Sequence, residues 1–85
     1  MTYYANFKAN NGTCWQRACQ FTSKKAAIRA AKNAANAERF AGNEAKWYVY
    51  TREDDYSPNI CVASGIIDRN GRSHNTPKSE LGYIL

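Results

Sequence analysis

The residues best suited to chemistry are cations on one predicted helix. Thr22 or Ser23 is a good helix cap and Gly42 a good helix stop, which predicts a helix that ends at about Ala41. With a rotation of about 100° per residue, one set of polar side chains falls within an arc of about 80° along this helix. These side chains belong to Lys25, Arg29, Lys32, Asn36 and Arg39. Their spacing predicts one basic stripe on the side of the helix that faces solvent.

The charge of the chain is concentrated in this helix. Residues 24–41 carry five positive charges and one negative charge, whereas the whole chain has a net charge of +5. A merely solvated helix face usually mixes both signs, so the excess of one sign favours a binding surface. Lys24 and Lys25 lie in the first turn, where the helix dipole disfavours a cation by roughly a few tenths of a kcal/mol but attracts a phosphate or carboxylate. The alternative is that the stripe only keeps the helix in water.

Tyrosines form a second candidate surface. Residues 46–52 alternate between two sides, so that if Trp47 faces the helix, Tyr48 and Tyr50 face outward together with Tyr4. Outward tyrosines can stack on bases or form a patch that binds protein. The alternative is that they pack on each other as pairs across neighbouring strands.

Metal binding and catalysis are not expected. Cys14 and Cys19 lie five positions apart in a predicted strand, on opposite faces, and Cys61 reads as a small core residue. His74 lies in a polar segment without a cysteine or carboxylate at ligand spacing. The acidic residues 53–55 are typical turn formers, and no nucleophile has a base at a recognisable spacing. We therefore expect no metal, no cofactor and no enzymatic activity.

Composition predicts one small domain with a thin core. The chain has 85 residues, a mass of 9.6 kDa and a pI near 9.3. Only 12 residues are Leu, Ile, Val or Phe, so 13 alanines must let the elements approach closely while six tyrosines and two tryptophans fill gaps. No apolar run approaches the length of about 18 residues that a membrane helix needs, and no signal peptide is recognisable, which predicts a cytoplasmic protein that is not inserted in a membrane.

The elements predict an α+β domain over residues 1–85. Asn11 and Gly12 form a strong hairpin signal, and a polar stretch at residues 68–80 reads as a loop or frayed hairpin. Outside residues 68–80 the predicted strands and helix follow the order ββαββ. This order predicts an antiparallel sheet of four to five strands with one Ala-rich helix packed on one face. The predicted strands are Thr2–Ala9, Thr13–Phe21, Lys46–Arg52, Ile60–Ile67 and a short tail strand at Leu81–Leu85. The tail leaves a sheet edge that allows a monomer or a weak homodimer.

Three short segments and this layout resemble the small phage-encoded anti-CRISPR proteins that inhibit type I systems. The segments are Phe21–Ala27 at the start of the helix, Trp47–Tyr50 and the C-terminal Gly82–Leu85. The resemblance implies a non-enzymatic inhibitor that acts in the cytoplasm of the host cell, binds a CRISPR surveillance complex and blocks its access to DNA. It rests on architecture rather than on a shared motif, so it assigns a role to no residue. Some of these inhibitors are acidic and mimic DNA, whereas this chain is basic.

Two classes of function follow. In the first, the protein binds another protein through the basic side of the helix, and the specific partner that we expect is a CRISPR surveillance complex. In the second, it binds nucleic acid without sequence preference by placing the same cations, with Lys8, Arg17 or Arg52, on phosphates. In either class the expected contact residues are Lys24, Lys25, Arg29, Lys32, Asn36 and Arg39, followed by Tyr48 and Tyr50.

Overall fold

The computed structural model describes all 85 residues, and its centre is a five-stranded antiparallel sheet with one helix on one face. The order of strands across the sheet is β2-β1-β3-β4-β5. This arrangement confirms the predicted α+β class. The elements are β1 Tyr3–Ala9, β2 Cys19–Phe21, α1 Lys24–Phe40, β3 Ala45–Thr51, β4 Ile60–Ile67, β5 Ser73–Asn75 and a short 3-10 helix at Lys78–Glu80.

Alternation along β1 and β3 separates the two faces of the sheet. Phe7 lies opposite Trp47 on the inner face, where both side chains are buried against α1. Tyr4 lies opposite Tyr50 on the outer face, which no other layer of the fold covers. Because side chains in a strand alternate between faces, this register directs every second residue of the two strands toward the helix. The predicted orientation of Trp47 is confirmed.

The helix begins and ends where the capping residues predict. The Ser23 hydroxyl accepts a hydrogen bond from the Ala26 N–H at 3.4 Å, and Gly42 takes a φ of 82° after the last turn. Its buried face contains Ala27, Ala31 and Ala35, all fully buried. Alanines at this spacing let the helix lie close to β1 and β3. No helix of this structure is both long and apolar enough to span a membrane.

The predicted strand Thr13–Phe21 is wrong over most of its length, because only Cys19–Phe21 pairs with β1. At Trp15 the side chain of Asn6 provides the hydrogen bonds that a pairing strand would otherwise make. It accepts a hydrogen bond from the Trp15 N–H at 3.2 Å and donates one to the Trp15 carbonyl at 3.2 Å. Cys14 consequently lies in an exposed loop rather than in a strand.

Residues 68–80 begin with a hairpin, which is one of the two alternatives that the sequence allows. Asp68 accepts hydrogen bonds from the backbone N–H groups of Asn70 and Arg72, which closes a turn and pairs β5 with β4. The predicted tail strand is reduced to one bridge between Ile60 and Ile84, beyond the end of β5 on the same edge of β4.

Candidate functional site

The basic side of α1 borders the inner face of β4 at Lys24 and Lys32, which lie beside Val62 and Ala63, and it is exposed to solvent at Lys25 and Arg29. We call it the cationic flank, and it comprises Lys24, Lys25, Arg29, Lys32, Asn36 and Arg39. The helix packs mainly on β1 and β3, so the inner face of β4 beside this flank is only partly covered. A shallow depression of about 340 Å³ runs along the flank between Lys25 and Lys32.

Only part of the cationic flank is open to solvent, which corrects the prediction that all of it faces water. Lys24, Lys25 and Arg29 are exposed, whereas Lys32, Asn36 and Arg39 are half-buried. For Lys32 and Arg39 the difference follows from position, since their stems lie against Trp47 and Gly71 and cover that surface.

Two of the half-buried cations have identifiable neighbours. The Lys32 ammonium lies 5.1 Å from the centre of the Trp47 ring. The Arg39 guanidinium packs against Gly71 and lies 4.5 Å from the Phe40 ring. Lys32 and Arg39 therefore link the helix to β3 and to the turn after β4.

No cation of the flank is neutralised by a carboxylate. The chain has two ion pairs, Arg52 with Asp55 at 3.8 Å and His74 with Asp68 at 3.5 Å, and neither involves α1. Glu38, the one acidic residue of the helix, instead accepts a hydrogen bond from the Asn43 side chain at 3.2 Å. The five positive charges of the helix therefore act together as an unpaired field that attracts anions.

The tyrosines lie on the outer face, as the alternation predicts, and they pack on each other in a stacked row, as the alternative interpretation predicts. The Tyr4 and Tyr50 rings stack across β1 and β3 with their centres 5.2 Å apart, and Tyr48 lies 6.3 Å from Tyr50. Burial in this row raises the pKa of Tyr48 and of Tyr50. The Arg52 guanidinium lies 4.6 Å from the Tyr4 ring and donates a hydrogen bond to its hydroxyl.

Three cations lie along this row, which we call the tyrosine face and define as Tyr4, Tyr48, Tyr50 and Arg52 with the paired Lys8 and Lys46. Carboxylates border it at both ends, where Asp55 pairs with Arg52 and Glu44 lies beside the two lysines. Both lysines are exposed. Tyr83, for which the sequence predicts only a tail strand, adds to this region because its hydroxyl lies 3.5 Å from Ser64, which pairs with Tyr48. Strand alternation does not reveal this contact, since it depends on where the tail crosses β4.

The eight predicted contact residues therefore do not form one site. The cationic flank lies on the helix side of the sheet, and Tyr48 and Tyr50 lie on the other side. A flat partner can contact one of these surfaces but not both, so they are two separate candidate sites.

The acidic loop forms a turn, as predicted. Asp54 accepts hydrogen bonds from the backbone N–H groups of Tyr56 and Ser57, and these bonds lower the pKa of its carboxyl. His74 differs from its prediction because the turn at Asp68 brings a carboxylate within 3.5 Å of its ring.

The metal-ligating residue types do not converge. Cys61 is buried as predicted, Cys19 is half-buried, and Cys14 is exposed. No group of three or more His, Cys, Asp or Glu residues is close enough together to hold a metal ion.

Comparisons of the chain with models of known protein families, with curated proteins and with solved structures find no match.

Proposed function

We propose that this chain is a non-enzymatic binding protein that docks the cationic flank of α1 on an acidic surface of another protein. The observation that carries the proposal is that none of the five helix cations has a carboxylate within 4.0 Å. A helix surface that serves only solvation gains from mixed charges, because pairs of opposite sign three or four residues apart stabilise it. An unpaired field of one sign is instead suited to a partner of the opposite sign.

The specific partner that we propose is a type I CRISPR surveillance complex. The resemblance of the layout to small phage inhibitors supports this choice. A basic surface cannot stand in for the phosphates of DNA, so the inhibitor would bind an acidic protein surface and block DNA sterically.

The test is binding of a purified type I surveillance complex by the double variant Lys25→Glu/Arg29→Glu. Both side chains are exposed and unpaired, so the reversal leaves the core intact. We expect the unaltered chain to co-elute with the complex and the variant to lose at least about tenfold in affinity, with weaker binding at higher salt. Lys8→Glu/Lys46→Glu, on the opposite face, is the matched control and should bind normally. If both double variants bind the complex equally well, the cationic flank serves only to keep the helix in water and the proposal is wrong.

A second candidate function is direct binding of nucleic acid, which the tyrosine face favours. Tyrosine rings from two strands stack on one another beside Lys8, Lys46 and Arg52, and bases can extend such an aromatic stack beside cations. The predicted basic stripe offers phosphates a further set of cations.

Fluorescence anisotropy separates the two functions. A labelled random duplex and a labelled single strand are titrated with protein at three salt concentrations. A nucleic-acid-binding protein that engages four phosphates should show a log–log salt slope of about −3 to −4. A protein-directed inhibitor should bind neither probe. Preference for the single strand, lost in Tyr50→Ala, would place the site on the tyrosine face.

A further inference from the structure

A groove separates α1 from β4 and β5 on the inner side of the sheet. It encloses about 210 Å³. Trp47 of β3 lines it, and so does Leu81, where the chain leaves the 3-10 helix. The groove exists because the helix covers β1 and β3 more than β4, so that part of the inner face of β4 has no layer above it.

Three lysines surround this groove, and no carboxylate lines it. Lys24 and Lys32 project from the helix, and Lys78 approaches from the 3-10 helix on the other side. Lys32 also borders the depression along the cationic flank, so the two surfaces are continuous. The charge of the groove therefore selects an anionic occupant.

The lining of the groove is partly apolar. Ile28, Val62, Ala63, Leu81 and Trp47 form the part that we call its floor, and Ser64, Asn75 and Thr76 are the polar residues that line it beside the lysines. An engineered apolar cavity of about 150 Å³ binds benzene, so this space suits one aliphatic or aromatic side chain. Inorganic anions would satisfy the lysines but leave the floor unused.

We infer that this groove receives an apolar side chain from an acidic segment of the partner protein, with flanking carboxylates placed on Lys24, Lys32 and Lys78. The inference rests on the proposed function and deepens it, because it names the element of the partner that the flank recognises. Charge complementarity brings the acidic segment to the groove, and burial of the apolar side chain holds it there.

One competing occupant is a second copy of this chain. The loop at residues 53–56 joins three carboxylates to Tyr56, whose side chain is 99% exposed. This loop has the required chemistry, so the experiment must distinguish it from a partner.

The indole N–H of Trp47 is the natural reporter. It is buried over Gly65 without a hydrogen-bond acceptor, and because the Trp47 side chain lines the groove, its NMR signal should shift when a side chain enters. The chain has one other tryptophan, Trp15, which packs edge-on against Phe7 at 5.2 Å and does not line the groove. The variant Trp15→Phe assigns the two indole signals.

The experiment titrates the ¹⁵N-labelled chain with three blocked pentapeptides, Asp-Glu-Leu-Glu-Asp, Asn-Gln-Leu-Gln-Asn and Asp-Glu-Gly-Glu-Asp. We expect the first to shift the Trp47 signal and to bind at least about tenfold more tightly than the other two at low salt. Lys78→Glu should lower that affinity at least about fivefold, and Lys46→Glu, an exposed lysine on the opposite face, should not. Equal affinity for all three peptides, or a Trp47 signal that does not move, would overturn the inference.

Two further arms separate the alternatives. A Trp47 signal that moves with protein concentration alone, and stops moving in Tyr56→Ser, would identify a second copy as the occupant and overturn the partner assignment. If the surveillance complex still binds Lys78→Glu but not Lys25→Glu/Arg29→Glu, the inference about the groove is wrong and the proposed function is supported. If the complex still binds both variants, the inference and the proposed function are both wrong.

Discussion

The indole of Trp47 lies across Gly65 of the neighbouring strand so closely that a methyl group on this glycine would sit 2.7 Å from the indole nitrogen. The same methyl group would sit 2.9 Å from the backbone carbonyl oxygen of His74. A residue without a side chain is therefore required where β4 passes beneath Trp47. The contact fixes the position of the indole, and because Trp47 lines the groove, the shape of the groove depends on this one glycine.

We predict that Gly65→Ala destabilises the fold by about 1–3 kcal/mol, because a core that is already closely packed must move to admit the methyl group. Urea unfolding followed by circular dichroism measures the change. In a Trp47→Phe background the cost should be smaller, since the smaller ring removes the indole nitrogen from the contact. An equal cost in both backgrounds would place the strain at the His74 carbonyl instead.

Stability should fall at acid pH through the turn at Asp54. The backbone N–H of Tyr56, with further hydrogen bonds from Ser57, lowers the pKa of this carboxyl below its usual 3.8 in the folded chain. A carboxyl whose pKa is lower in the folded chain than in the unfolded chain stabilises the fold at pH values above its unfolded pKa. This stabilisation is lost as the pH falls through the folded pKa.

Unfolding free energies between about pH 6 and pH 2 test this prediction with Asp54→Ala, which should show a smaller acid-dependent loss than the unaltered chain. Glu53→Ala is the control, because the Glu53 side chain in the same loop accepts no hydrogen bond. An acid-dependent loss that is identical in all three proteins would assign the effect to other carboxyls.

Stability should also fall at alkaline pH through the tyrosine face. Burial raises the folded pKa of Tyr48 and of Tyr50 above the usual 10.0. A tyrosine whose pKa is higher in the folded chain than in the unfolded chain stabilises the fold fully at pH values below its unfolded pKa. This stabilisation is lost as the pH rises through the folded pKa. Between about pH 9 and pH 11.5, Tyr48→Phe/Tyr50→Phe should lose less stability than the unaltered chain. Tyr56→Phe, at a side chain that is 99% exposed, should behave like the unaltered chain.

The helix could be predicted almost to the residue because its signals are local. Ser23 caps its first turn and Gly42 ends it, and neither depends on a distant contact. The strand at residues 13–18 could not be excluded, because a side chain of β1, Asn6, supplies the hydrogen bonds that replace the ladder. Alternation predicts the two sides of a strand but cannot reveal a partner outside the ladder.

Periodicity predicts which residues share one side of the helix but not how the sheet covers that side. Periodicity places Lys32 and Arg29 on one arc of the helix, yet Lys32 lies over Trp47 while Arg29 is exposed. The difference depends on where the helix axis crosses the sheet, which the alanine face alone does not specify. The groove beside Lys78 follows from the same offset and has no signature in the sequence.

The last prediction tests whether Lys25 binds a partner or only keeps the helix in water. The first turn of α1 contains no acidic residue, so Lys25 opposes the helix dipole. Lys25→Glu removes this repulsion and places a carboxylate four residues before Arg29, which should raise the free energy of unfolding by about 0.5–1 kcal/mol. The same change should weaken binding of the surveillance complex several-fold, so stability and affinity move in opposite directions. Thermal unfolding and co-elution on the same preparation measure both. A variant that is more stable and binds equally well would show that this lysine serves neither the fold nor a partner. Arg17→Glu, at an exposed side chain outside the helix that forms no ion pair, should change neither quantity.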